Sequence, residues 1–215
     1  MSNQVVGVDI GTTSTKAVVF DTDGRVVAHH SVEYPLLTPT PATAEQDPEQ
    51  IYRAVLAAIR EAVRKARAAP ADMVCVAFSA AMHSVIAVDQ DGAPLTRSIT
   101  WADNRAVDWA ERIKRDPGGL AIYQRTGTPN HPMSPLAKLV WLRHEQPEVF
   151  ARAARFIGIK EYVFFRLFGR YVVDYSIASA TGLFNLVELD WDPEALAVAG
   201  AITQEQLDAA RGGII

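Results

Sequence analysis

A mixed α/β fold is predicted by three features of the chain. These are an apolar β-branched run ending in a carboxylate, Asp-Gly turns between further apolar runs, and a capped amphipathic helix leading into another apolar run. The first lies at residues 5–16. Val5, Val6 and Val8 are strand formers, which puts Asp9 at the strand's end, where a carboxylate can hold a hydrated Mg²⁺. Gly11 permits a tight turn and close approach of the backbone to a ligand. Thr12, Thr13 and Ser14 offer hydroxyl and backbone donors to phosphate oxygens, and Lys16 supplies the countercharge. An ordinary strand-turn-strand with a polar tip uses the same residues.

The remaining elements follow in order. Residues 17–20 and 25–34 read as two strands joined by the Asp23-Gly24 turn, giving an antiparallel meander. Residues 35–41 hold three prolines and read as an extended crossing. Asp47-Pro48-Glu49-Gln50 supplies an N-cap, a first-turn proline and a capping-box residue for a helix to about residue 68. It should bury Ile51, Val55, Ile59, Ala62, Val63 and Ala66, and Pro70 should end it. Residues 73–78 then read as a fully buried, parallel strand. The order strand, strand, strand, helix, strand fits a ribonuclease-H-like α/β domain.

Beyond that core, residues 85–88 and the turn Asp89-Gln90-Asp91-Gly92 suggest a second hairpin. From residue 98 the pattern turns helical. A helix runs to about residue 115, Pro117-Gly118-Gly119 breaks it, and a short helix covers 120–125. A proline-rich loop at 126–135 precedes a helix over 136–144 with Leu139, Trp141 and Leu142 inward. Residues 156–158 read as a strand and 160–168 as a helix with Tyr162, Phe164 and Phe165 in the core. Residues 174–182 are a small-residue segment, Trp191-Asp192-Pro193 starts a helix through 199, and Thr203 starts another. The last residues carry no cap or strand partner, so the chain reads as cut.

Composition narrows the function. With 49% hydrophobic and 21% charged residues, the chain has the balance of a soluble globular protein. A net charge of −4 gives no reason to expect nucleic acid or an anionic membrane as partner. Cys75, the single cysteine, lies in an apolar run and reads as a buried reduced thiol. No signal peptide or membrane span is read, so the cytoplasm is the expected location.

Candidate contacts to a ligand lie on the loops. Met82 and His83 follow the buried strand at its carboxyl end, where α/β sheets place ligands. His83 can bond a polyol or carboxylate, or simply local backbone. Trp101, Asp103, Asn104 and Arg105 offer an apolar plate, an acceptor, an amide and a cation for a polyhydroxylated ligand; a helix N-terminus explains them equally well. His131 and Met133 sit in the long loop, Asp174 reads as a helix cap, and Lys138, Arg143 and Lys160 read as solvated helix charges.

These stretches carry a resemblance. Gly7-Val8-Asp9-Ile10-Gly11-Thr12-Thr13-Ser14-Thr15-Lys16 resembles the first phosphate motif of the sugar kinase, hexokinase, actin and heat-shock chaperone superfamily. Glu45-Gln46-Asp47-Pro48, Ala81-Met82-His83-Ser84 and Trp101-Ala102-Asp103-Asn104-Arg105 look like the FGGY carbohydrate kinases. Within that family, residues 126–138 and 171–182 are most similar to gluconate kinases.

The resemblance implies an actin/hexokinase-type fold with a helical sugar-binding insertion. The whole of 1–215 would be an amino-terminal lobe, with its core at about 1–100, its insertion at about 100–182 and the carboxyl-terminal lobe absent. It further implies ATP and Mg²⁺ as cofactors, with Asp9 on the metal and Thr12, Thr13, Ser14 and Lys16 on phosphate. Met82, His83, Trp101, Asp103, Arg105 and His131 would face the sugar; Met133 falls where some relatives place an aromatic. The general base is expected in the missing lobe, leaving none in this chain. The implied reaction of the full-length parent is ATP-dependent phosphorylation of a sugar or sugar acid, gluconate first, with this fragment inactive alone. Xylulose or another ketose or polyol is the alternative substrate, and a non-catalytic sugar-binding module the alternative class. The carboxylate of gluconate would need Arg105, His83, His131 or Lys138. Expected partners are the small-molecule substrate, the missing lobe and, as an open assignment, a second copy in a homodimer.

Overall fold

The computed structural model describes residues 3–200. They fall into two compact units: residues up to Leu36 with Gln46–Ala81, and Leu37–Glu45 with Met82 onward. The division comes at residue 81, and the apolar run after Met82 pairs inside the second unit. The expected helix at Thr203 lies outside the described residues.

In the first unit, β1 (Gln4–Ile10), β2 (Ser14–Asp21) and β3 (Val26–Glu33) form the antiparallel meander. The two-residue strand β4 (Glu45–Gln46) stands at the junction of the units and leads into α1 (Pro48–Ala66). Asp47 caps α1 by accepting from Glu49 N and Gln50 N, and Arg67 ends it in the left-handed conformation. After a 3₁₀ turn at Pro70–Asp72, β5 (Met73–Ala80) lies parallel to β1 and completes the sheet order β3-β2-β1-β5.

Burial follows the two-residue period of the strands. Val6, Val8, Ile10, Ala17 and Val19 are buried, as are Ile51, Ala54, Val55, Ala58 and Ala62 of α1, which contacts β2 and β3. Ile59, Val63 and Ala66 are only partly buried. The opposite sheet face is open: Gly7, Asp9, Lys16, Val18, Phe20, Ala77 and Ser79 line a hollow on it.

The expectation of a fully buried β5 is corrected. Val74 is 62% exposed, Val76 is 42% exposed, and Cys75 is an exposed free thiol. The sheet order ends at β5, whose ladder partner among the described residues is β1 alone. A continuous apolar run signals a strand built for cover on both faces, but it does not supply the cover.

The second unit is mainly helical. β6 (Ile86–Val88) pairs with β8 (Arg155–Ile157), so the second Asp-Gly turn does not close a regular hairpin; its return is a single bridge from Val88 to Pro94. The short β7 (Ser98–Ile99) precedes α2 (Val107–Arg115), α3 (Pro117–Thr126), α4 (Pro135–Glu145) and α5 (Pro147–Arg152). Beyond β8 come α6 (Ile159–Phe168), α7 (Tyr175–Ser179), the ladder of β9 (Phe184–Asn185) with β10 (Asp190–Trp191), and α8 (Pro193–Ala199). Leu136, Leu139, Trp141 and Leu142 enter one core cluster with Ile113 and Leu196. Tyr162 is buried, while Phe164 and Phe165 are partly exposed.

Pro117-Gly118-Gly119 opens a helix and does not merely break one: Asp116 caps α3 by accepting from Gly118 N, and Pro117 sits in its first turn. Gly119 meets the end of α2 so closely that a Cβ there would stand 1.9 Å from Ile113 O. Gly119→Ala is therefore expected to lower stability by roughly 1–3 kcal/mol, and Gly118→Ala by clearly less, in paired thermal or urea denaturation.

Candidate functional site

The loop at Gly11–Thr13 is the turn between β1 and β2. Gly11 N donates to Ser14 O at 2.9 Å, and a Cβ on Gly11 would lie 3.1 Å from that oxygen, so the turn has little room for a side chain. Tyr34 is buried beneath it, donating from its hydroxyl to Gly11 O at 2.7 Å and lying 3.2 Å from Thr15 Oγ1. Burial raises its phenol to about 12. Gln46 Nε2 adds a bond to Thr12 O at 2.6 Å, and Tyr34 N one to Thr13 O at 3.0 Å. The turn's backbone carbonyls are thus held by the protein. Tyr34 had no signal in the sequence, because its role depends on a contact 23 residues away in the chain.

Asp9 and Lys16 are cross-strand neighbours, both exposed, and line the open hollow with Ser79. Thr13 and Ser14 line a different hollow, with Glu33, Tyr34 and Pro35. Among the described residues no group of three or more His, Cys, Asp or Glu side chains is arranged to hold a metal ion. A lone exposed carboxylate still suits Mg²⁺, which keeps several waters and commonly uses one or two carboxylates together with substrate phosphates. Asp9 fits that role.

The sugar-side candidates all lie in the second unit. Trp101 is 49% exposed and Met82 is 40% exposed. Asp103 is 1% exposed, and both its oxygens are engaged: Oδ2 accepts from Ala44 N at 2.9 Å, and Arg105 contacts both through its backbone N–H and guanidinium. Arg105 is also bonded to Glu45 at 2.5 Å and lies over the Trp141 ring at 4.5 Å. Asp103 and Arg105 thus form a buried tie between the segments at 44–45 and 103–105. Asp103 lies before α2 begins and is no first-turn charge on that helix.

His83 is half-buried, with its backbone at φ +67°, in the left-handed region. For a non-glycine residue that conformation costs on the order of 1–2 kcal/mol. Its Nδ1 is 2.7 Å from Ala180 O. A carbonyl only accepts, so the proton sits on Nδ1 and Nε2 keeps a lone pair. Burial lowers the His83 pKa, which the Ala180 bond opposes and nearby Lys138 and His131 assist. The ring is therefore neutral at pH 7, with Nε2 able to accept from a hydroxyl. His131 is exposed, and its Nδ1 accepts from Met133 N at 3.2 Å.

Two lysines read as solvated are not. Lys138 is 0% exposed, and its Nζ donates to His83 O at 2.7 Å and Met133 O at 2.6 Å. Burial drops its pKa to about 7, against the pull of Asp103 and with a further push from Arg105. The signal was available: Lys138 shares a helical face with Trp141 and Leu142, both buried. Lys160 is ion-paired with Asp174, which also caps α7 by accepting from Ile177 N. The segment at 179–181 is tied at three successive carbonyls, with Thr128 Oγ1 donating to Ser179 O, His83 Nδ1 to Ala180 O and Leu136 N to Thr181 O.

Residues 4–213 match the N-terminal domain of the FGGY family of carbohydrate kinases. A gluconokinase of Bacillus subtilis (strain 168) is 52% identical over 208 residues, covering 96% of this chain and 40% of that protein. A glycerol kinase of Thermococcus gammatolerans is 33% identical over 204 residues, covering 93% and 41%. Among solved structures, a gluconate kinase from Lactobacillus acidophilus superposes with a TM-score of 0.89 at 41% identity, covering 96% of this chain and 41% of that one. A ligand-bound xylulose kinase from the same organism gives the same TM-score and identity, covering 95% and 41%. These likenesses bear out the predicted actin/hexokinase-type α/β fold. The chain spans about 40% of the length of the curated relatives it matches. With its motifs in order and the family match running across nearly all of it, the chain belongs to the FGGY family of carbohydrate kinases and represents its N-terminal domain.

Proposed function

We propose that the full-length protein carrying this chain phosphorylates gluconate at the expense of ATP, and that this chain alone does not turn over. The observation that carries the reading is His83, a neutral imidazole clamped at Nδ1 by Ala180 O with Nε2 left to accept from a substrate hydroxyl. The 52% identity to a gluconokinase supports gluconate over other polyols. Met82 and Trp101 supply exposed apolar surface for a carbon chain, and His131 a second imidazole for its polar end. Asp103 and Arg105 act by holding the segment that presents Trp101, since their own polar groups are engaged within the protein.

On the nucleotide side, the hydroxyls and amides of Thr12, Thr13 and Ser14 meet phosphate and Lys16 offsets its charge. Asp9 would hold Mg²⁺ largely through water. The ion, when bound, would neutralise charge on the phosphates. The attacking hydroxyl needs a general base from outside this chain, so positioning is what these residues contribute. A cytoplasmic location accords with ATP as substrate.

Xylulose is the second reading, and one observation favours it. Arg105, the guanidinium best placed for a carboxylate, is committed to Asp103 and Glu45. A substrate panel on the full-length protein separates the two. Gluconate is expected to give the highest kcat/KM; a preference for xylulose overturns the choice of substrate, and sugar binding without ATP turnover favours a non-catalytic binding module. The isolated chain is expected to show no ATP-dependent phosphorylation of gluconate.

Asp9→Ala in the full-length protein should lower kcat at least about a hundredfold while sugar affinity, read by calorimetry, stays within about twofold. For His83, protonation removes the Nε2 acceptor. Because burial sets its pKa below the ordinary 6.5, sugar KM should rise as the pH falls below 6.5. A pH profile of KM that stays level down to pH 5 counts against the acceptor role.

A further inference from the structure

Among the described residues no carboxylate is ion-paired with the buried amino group of Lys138. Its two bonds go to backbone carbonyls, His83 O and Met133 O, and these belong to the two loops that carry Met82, His83, His131 and Met133. Taking that amino group out of water is costly, and an apolar side chain of the same length would fill the space more cheaply. The two carbonyls are also specific ones. His83 is one of the few described non-glycine residues at positive φ, and the amino group binds the oxygen of that same residue.

We infer that Lys138 is a positioning residue for substrate recognition: its amino group holds the His83 peptide in the left-handed conformation and so aims the imidazole at a substrate hydroxyl. The inference rests on the sugar-kinase reading above. Two ties converge on one residue, Lys138 Nζ on the His83 carbonyl and Ala180 O on the His83 ring. The first sets the backbone and the second sets the tautomer. Without the first, His83 relaxes toward negative φ and its side chain leaves the direction that the second requires. The same amino group fixes the Met133 carbonyl, so the long loop and the His83 loop are held by one atom.

The test uses the full-length protein carrying this chain. Lys138→Met is expected to raise KM for the sugar at least about tenfold, with KM for ATP within about twofold of the parent value. In a His83→Gly background the same substitution should add less than about twofold, because glycine takes the left-handed conformation without a tether. Parallel rises in both KM values, or an undiminished effect in the His83→Gly background, overturn the assignment. Should Lys138→Met not fold, nitrogen-15 NMR of the parent protein decides. Exchange-protected Lys138 Nζ protons and a His83 ring protonated at Nδ1 support it; a freely exchanging amino group or a ring protonated at Nε2 overturns it. If the parent protein phosphorylates no sugar, the kinase reading falls by itself and the NMR result still decides the role of Lys138.

Discussion

A lysine amino group buried with no ion-pair partner among the described residues must find oxygen, and in the second unit that requirement is met by peptide carbonyls. Lys138 Nζ has Met133 O and His83 O within 2.7 Å, and the His83 ring continues the tie to Ala180 O. Thr128 and Leu136 bond the carbonyls on either side of Ala180. Three stretches far apart in the chain, at 83, 128–138 and 179–181, are therefore fixed by a handful of bonds, each to a main-chain oxygen. Main-chain acceptors hold backbone geometry independently of side-chain rotamers, which suits a place where loop shape matters more than loop composition.

The first unit solves a different problem. Its sheet buries one face under α1 and leaves the other open, with Asp9 and Lys16 near the carboxyl end of β1 on the open side. Tyr34 is the counterpart of Lys138 there, a buried polar group whose bond to Gly11 O fixes a loop from below. In both units a loop beside the exposed polar side chains is shaped by a buried group underneath it.

Local chemistry was legible in the sequence, and contact across the chain was not. Asp47-Pro48 announced α1, Asp23-Gly24 announced the β2–β3 turn, and Asp192-Pro193 announced α8, because caps and turns are decided within a few residues. The turn after β1 and the Met82-His83 loop were placed by their position after strands. Lys138 was misjudged because charge was weighed ahead of helical face. Tyr34 was missed since no spacing rule predicts which hydroxyl reaches a turn 23 residues earlier. For Cys75 the reading of an apolar run was sound as to strand formation, but burial depends on what packs against the strand, and that is not encoded locally.

The open edge at β5 has a consequence for the chain handled by itself. Among the described residues Met73–Ala80 has β1 as its one ladder partner, with Val74 and Val76 exposed, no proline or lysine along it, and a register shift at Val74 as its only irregularity. Such an edge templates addition of another strand. Exposed Cys75 lies on the same strand and is a thiol open to oxidation. A reductant in the buffer would be a condition of keeping this polypeptide dispersed.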